Sequence, residues 1–208
     1  MVQAAPQITT FDEFIAWYPG QGRYELINGR VQDVKPTGVH EQVGGYLNGR
    51  LAVKIAQLGL PYFMPKSCTV KPFSEQSGYL PDVVVVDPTQ LQYEPRWQRE
   101  STLTRGESMP LVVEIVSTNW RDDYQRKAAD YEEMSIPEFW IVDYLGLGGR
   151  RYIGSPKQPT FSVYQWVDGE YQVSLFRGEE PIVSPTFPEL ALTLDQILQE
   201  IQAHGGSV

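Results

Sequence analysis

The chain has 208 residues, 41% of them hydrophobic and 21% charged, with 17 Lys and Arg against 26 Asp and Glu for a net charge of −9. That length is enough for a sizeable core in one domain or at most two small ones, and the composition excludes a disordered or fibrous chain. An isoelectric point near 4.7 argues against a nucleic-acid binder that works by general basicity.

Cys68 is the only cysteine, so an intrachain disulfide is excluded and a thiolate zinc site is not expected. The opening residues lack the basic and apolar regions of a signal peptide, and no apolar run approaches the ~20 residues that cross a bilayer. A soluble, reduced, cytoplasmic protein is the expectation.

In chain order, TTFDEFIAWYP predicts a short helix capped by Thr9 or Thr10, with Phe11, Phe14 and Ile15 on one face. RYELINGRVQDV reads as a hairpin around Asn28-Gly29, the pair best suited to a type I′ turn. Residues 39–58 place Val39, Val43, Tyr46, Leu47, Leu51, Ile55 and Leu58 at helical spacing, with glycines at 44, 45 and 49 weakening the helix locally. Residues 66–73 and 80–86 read as strands. The polar stretch from Asp87 to Met109 is too long for an ordinary connection and is therefore functional or mobile. LVVEIVS at 111–117 predicts a strand covered on both faces. A helix over 120–134 capped by Asn119, a strand over 137–145, a hairpin around Asp168-Gly169 and an amphipathic helix from Thr193 to Ala203 complete a mixed α/β chain. No linker or internal repeat divides it. It reads as one domain over 1–208, with the acidic hairpin and helix of 169–208 at its periphery.

Asp82 opens PDVVVVD, and Glu114 interrupts an apolar strand. A carboxylate in such surroundings is costly unless it is paired, hydrogen-bonded or bound to metal. If the two strands are neighbours, both side chains reach one hard divalent cation, and oxygen donors select Mg²⁺ or Mn²⁺. Singly, each has a plain alternative: a turn cap for Asp82, a buried ion pair for Glu114. Past Glu114, residues Tyr124, Lys127, Tyr131 and Met134 share a helical stripe, and Asp123 stands four residues before Lys127. Spacing alone favours a Lys127 that snorkels over apolar surface.

The ordered set of Pro81-Asp82, Glu114 before Val116-Ser117, Asp123, Lys127, Tyr131 and Glu138-Phe139-Trp140-Ile141-Val142-Asp143 resembles an abundant family of uncharacterised bacterial proteins. That family is classed as restriction-endonuclease-like, within the PD-(D/E)XK nuclease superfamily. The resemblance extends to Tyr24-Glu25-Leu26-Ile27-Asn28-Gly29 and to His40, and loosens beyond Leu145. It implies a restriction-endonuclease-like mixed β-sheet flanked by helices, with extra N-terminal and C-terminal β-hairpins. It also implies metal-assisted hydrolysis of a DNA phosphodiester. In that reading Asp82 and Glu114 hold Mg²⁺ with Glu25 as a further ligand or a group that orients water, Lys127 positions the nucleophile or stabilises the phosphorane, and Asp123 orients Lys127. The superfamily's usual Lys stands two residues after the Glu, where this chain has Val116. The resembling family supplies it from the next helix, at the position of Lys127.

His40 either contacts phosphate or is a helix-terminal surface residue without a role, and His204 sits in a Gly-rich tail expected to be disordered. Arg96, Arg99 and Arg105, with Trp97 among them, and Arg50 and Lys54 on the long helix are the candidate DNA contacts. Symmetrical cleavage of both strands implies a homodimer. Two alternatives stay open: a nuclease fold that has lost its chemistry and serves as an interaction protein, and a hydrolase of RNA or another phosphodiester. From Asp168 onward seven acidic residues face one basic, Arg177, so much of the net charge lies outside the proposed catalytic portion.

Overall fold

A computed structural model of the chain describes residues 9–203 and 205. The N-terminal residues 1–8, on which part of the leader-peptide expectation rests, and His204 lie outside them. Among the described residues no helix is long and apolar enough to cross a membrane.

Helix α1 (Phe11–Trp17) starts at Thr10, whose hydroxyl accepts from the Glu13 N–H while the Glu13 carboxylate accepts from the Thr10 N–H. This reciprocal cap satisfies N–H groups that a short helix cannot pair internally. Strands β1 (Tyr24–Ile27) and β2 (Arg30–Asp33) form the predicted hairpin. Both of its turn residues take positive φ, 50° at Asn28 and 69° at Gly29, as a type I′ turn requires. Helix α2 (Gly38–Leu58) runs unbroken through its three interior glycines.

The predicted strands on either side of the Pro81 turn are much shorter in the fold: β3 (Thr69–Val70) and β4 (Val83–Val85). The stretch from Asp87 to Met109 is folded. It contains helix α3 (Trp97–Glu100) and strand β5 (Thr102–Leu103), which pairs in parallel with β3. The buried Glu94 carboxylate gathers it by accepting from Thr104 N at 2.8 Å, Thr104 Oγ1 at 2.8 Å and Arg105 N at 3.2 Å.

The remaining strands are β6 (Leu111–Ile115), β7 (Glu138–Asp143), β8 (Thr160–Val167) and β9 (Glu170–Phe176). They join β4 in a five-stranded mixed sheet of order β4-β6-β7-β8-β9, antiparallel except for the β6–β7 pair. The parallel pair needs a crossover helix, which residues 120–133 supply. Alternation along β4 and β6 sorts the two faces. Val83, Val85, Val113 and Ile115 pack under α2 and under α6 (Leu194–Ala203), while Val84, Val112 and Val116 pack under Tyr124, Tyr131 and Met134 of the crossover. Both faces are covered, as the near-continuous apolar runs predict.

The C-terminal hairpin of β8 and β9 extends the central sheet. One expectation is corrected: the region over 169–208 is not peripheral, since Phe176, Ile182, Phe187, Leu192, Ile197 and Ile201 are all buried in the core on the α2 side. The segment carries its acids on the solvent side and its apolar residues inward, so its charge does not reveal its burial. Glu138 ties it to the sheet. Its buried carboxylate accepts from Trp140 Nε1 at 2.6 Å, Thr186 N at 2.8 Å and Ser184 Oγ at 3.1 Å. Glu138→Ala therefore leaves three buried donors unpaired and is expected to cost about 3 kcal/mol or more. A thermal midpoint lower by roughly 6–12 °C is the expected reading.

Candidate active site

The antiparallel register pairs Val83 with Val113, so the next rung sets Asp82 beside Glu114 on one face of the sheet. Asp82 N donates to Val113 O at 3.2 Å, and the Asp82 carboxylate accepts from Ile115 N at 2.8 Å. Glu114 is 2% exposed. Tyr131 OH donates to its Oε1 at 2.7 Å, and Lys127 Nζ donates to its Oε2 at 2.9 Å.

Lys127 also stands 3.1 Å from Glu25 Oε1 and 3.5 Å from Asp123 Oδ1. The crossover departs locally from the predicted α-helix: residues Asp122–Lys127 form a π-helical stretch before helix α4 (Ala128–Glu133). Asp123, Tyr124 and Lys127 of this stretch are all buried, and Asp123 keeps the four-residue spacing that sets it beside Lys127. Asn119 directly precedes this helix, its backbone carbonyl accepting from Asp122 N at 2.8 Å. Glu25 arrives from β1 and accepts from Leu80 N at 2.9 Å.

His40 lies in the first turn of α2, where Thr37 caps the helix. His40 Nε2 is 2.9 Å from Ile115 O and 3.3 Å from Asp82 Oδ2. A ring nitrogen facing a carbonyl oxygen carries the proton, so Nε2 is a donor here. The plain surface reading of His40 is thereby replaced by a place beside Asp82. Arg23, two residues before Glu25 and on the same face of β1, approaches Asp82 Oδ1 at 3.5 Å.

These charges are unevenly matched. Burial, reinforced by the neighbouring carboxylates, pushes the Glu114 carboxyl up to about 8 and the Asp123 carboxyl up to about 7, against the opposing pull of Lys127. Burial would lower the Lys127 ammonium, but Glu114, Glu25 and Asp123 outweigh it and hold it well above its ordinary value. Burial likewise opposes charge on His40, and its hydrogen bond and attraction to Asp82 raise it overall. Lys127 therefore stays charged beside four carboxylates (Glu25, Asp82, Glu114 and Asp123), and Arg23, Lys35 and His40 also line the cleft. The four carboxylates are hard oxygen donors. Among the described residues no three Asp, Glu, His or Cys side chains are placed to hold a metal ion together. An open pair of carboxylates suits Mg²⁺ or Mn²⁺, which keep waters and substrate oxygens in their shells, better than a structural zinc.

A cleft of about 370 Å³ is lined by Glu25, His40, Asp82, Glu114, Asp123 and Lys127. All six residues singled out for chemistry from the sequence meet there. None of the five basic residues singled out for DNA lines it. Arg50 donates to Ala191 O at 2.8 Å, and Lys54 is buried on α2. Arg96 pairs with Asp12 and with Glu100 at 3.0 Å, and Arg105 pairs with Glu107 at 3.6 Å. Arg99 borders a separate depression near Cys68. Trp97 packs edge-on against Phe63, with ring centroids 6.1 Å apart, and so is not free to stack on a base. Two site residues were missed. Arg23 could have been found from its period-two spacing with Glu25, and Tyr131 from its place on the Lys127 stripe.

A family model described as "Putative restriction endonuclease", the Uma2 family, matches residues 11–195. No curated protein matches the chain. Among solved structures, a crystal structure titled as that of "a putative nuclease belonging to DUF820" from Anabaena variabilis ATCC 29413 is similar in fold, with a TM-score of 0.66 at 16% identity. The alignment covers 92% of this chain and 98% of that one. Sheet, crossover helix, acidic cleft and a family match spanning nearly the whole chain agree: this protein belongs to the Uma2 family.

Proposed function

We propose that the protein is a Mg²⁺- or Mn²⁺-dependent endonuclease that hydrolyses DNA phosphodiester bonds. One observation carries the reading: Asp82 and Glu114 face each other across two strands, with the Lys127 ammonium 2.9 Å from Glu114, in a cleft that also holds Glu25, His40 and Asp123. The family's description and the neighbour's title support it.

In this reading Asp82 and Glu114 would hold the ion, and Glu25, 3.1 Å from Lys127, would orient its water. When bound, the ion supplies an acidified water and offsets charge building on the phosphate. Val116, where a strand Lys would serve, is buried and apolar. Lys127 takes that place from the crossover helix, bringing a compact positive charge to the reacting phosphate. Tyr131 fixes one oxygen of Glu114, and Asp123 holds Lys127; both act as positioning residues. His40 presents a fixed N–H beside Asp82. A symmetrical cut of both strands calls for two such sites, which a homodimer would supply.

Single-stranded, duplex and branched DNA incubated with Mg²⁺ or Mn²⁺ are expected to be cut by the wild type. The isosteric variants Asp82→Asn and Glu114→Gln are expected to be slower by about 10³-fold, the effect of losing several kcal/mol of charge stabilisation. Full metal-stimulated cleavage by both variants would overturn the assignment. A wild type that cuts none of the three substrates would favour the interaction-protein alternative.

The raised carboxyls set a stability profile. Between the ordinary carboxyl range and the raised values of about 7 and 8 for Asp123 and Glu114, the folded protein holds protons that the unfolded chain has lost. His40, raised in the folded state, adds the same sign. Metal-free stability should therefore fall from pH 5 to pH 8, on the order of 1–2 kcal/mol per pH unit. Mg²⁺ should raise the thermal midpoint more at pH 8.5 than at pH 5.5, and Glu114→Gln should lose that difference. Equal Mg²⁺ effects at both pH values, measured by differential scanning fluorimetry, would contradict a carboxylate-held ion.

A further inference from the structure

Where the cleft opens past Asn119 and Leu147, the surface turns basic. Arg121, Arg150, Arg151 and Lys157 are exposed there, and among the described residues none forms a salt bridge, the buried Asp143 carboxylate being the one acid that feels Lys157. The nearest acid in sequence, Asp122, is already paired with Arg126 at 3.1 Å. Three of the four cations are gathered by two rings. Arg121 lies 4.5 Å from the Trp120 ring centroid and Lys157 lies 5.8 Å from it, while Arg151 lies 4.4 Å from that of Tyr152. Trp120 and Tyr152 pack edge to face with centroids 6.2 Å apart.

The patch is built onto the cleft wall. Leu147 and Asn119 line the cleft. Lys157 Nζ donates to Leu147 O at 2.9 Å, and Trp120 directly follows Asn119. The Asp143 carboxylate pins the intervening loop by accepting from Leu147 N at 2.9 Å and Gly148 N at 2.7 Å. Gly149 lets the loop lie against Trp120, since a Cβ there would come within 2.9 Å of the indole. Cations held over rings on a pinned loop lose little freedom when they bind an anion.

On a chain of net charge −9, a polyanion is repelled by most of the surface, and unpaired cations beside the cleft set its approach. Ring faces already occupied by cations are not offered to bases, so the contact is with phosphate. We infer that the Trp120–Tyr152 patch holds the phosphodiester backbone of the DNA strand that leads into the cleft, by charge and without reading base identity. This rests on the nuclease reading and replaces the basic residues first expected to contact DNA.

The test is fluorescence anisotropy of two labelled duplexes of unrelated sequence, titrated at several salt concentrations with Ca²⁺ in place of Mg²⁺. Arg121→Ala and Lys157→Ala should each lower the slope of log affinity against log salt by about 1, and Arg150→Ala with Arg151→Ala together by about 2. Affinity should fall about equally for both sequences. All four side chains are exposed, and Lys157→Gln and Arg121→Gln keep the same test if an alanine variant melts early. Wild-type slope and affinity in every patch variant, or loss of slope in Arg99→Ala with Arg105→Ala instead, would overturn the patch alone. A wild type that binds neither duplex at any salt would overturn the nuclease reading itself, and the patch with it.

Discussion

Glu114 stands in the middle of a strand whose other side chains are apolar, and in isolation its ionised carboxylate would not survive there. Lys127 and Tyr131 satisfy its two oxygens from the crossover helix. Much of the surrounding architecture is what that pairing requires. The helix must cross the face of β6 that carries Glu114, the β6–β7 pair must be parallel so that a helix lies between them, and the crossover must present Lys127 inward. Buried ion pairs gain little net stability over apolar replacements, while removing one partner leaves an uncompensated charge. The pairing therefore constrains the fold more than it stabilises it.

A second consequence concerns balance. Lys127 is shared among Glu114, Glu25 and Asp123, and Asp82 is left to Arg23, His40 and a backbone N–H. A core assembled for stability alone would match these charges. One that crowds four carboxylates at a cleft holds groups whose proton uptake reaches into the neutral range, where a bound cation would compete with those protons.

Legibility in the sequence followed the physics of each element. The hairpin at Asn28-Gly29, the buried strand around Glu114 and the capped helix α1 are set by local rules: turn residues, an apolar run and a capping box. Each has the expected form. Asp82 and Glu114 could be picked out because acids at apolar positions conflict with burial, and that conflict is visible without a structure; Glu25, His40, Asp123 and Lys127 stood out only through the resemblance of the ordered set to a known family. The π-helical stretch was not visible, since its pattern differs from an α-helix by less than the spacing of apolar residues can resolve. Neither was the fate of the basic residues. Whether Arg96 is free or spent on Asp12 depends on a contact between segments 84 residues apart, and composition carries no trace of it. The C-terminal segment was misplaced for the same reason, because its acidic surface outweighed a buried face that only tertiary packing reveals.

Glu25, His40, Asp82, Glu114 and Lys127 come from a hairpin, a helix, two strands and a crossover, none adjacent in sequence. No fragment of the chain contains the constellation, and the register of β4 on β6 must be set before Asp82 and Glu114 can face one another. Chemistry of any kind at this cleft is thus withheld from a nascent or half-unfolded chain. The separation of its parts makes complete folding the condition for reactivity, so a damaged copy falls silent rather than becoming indiscriminate.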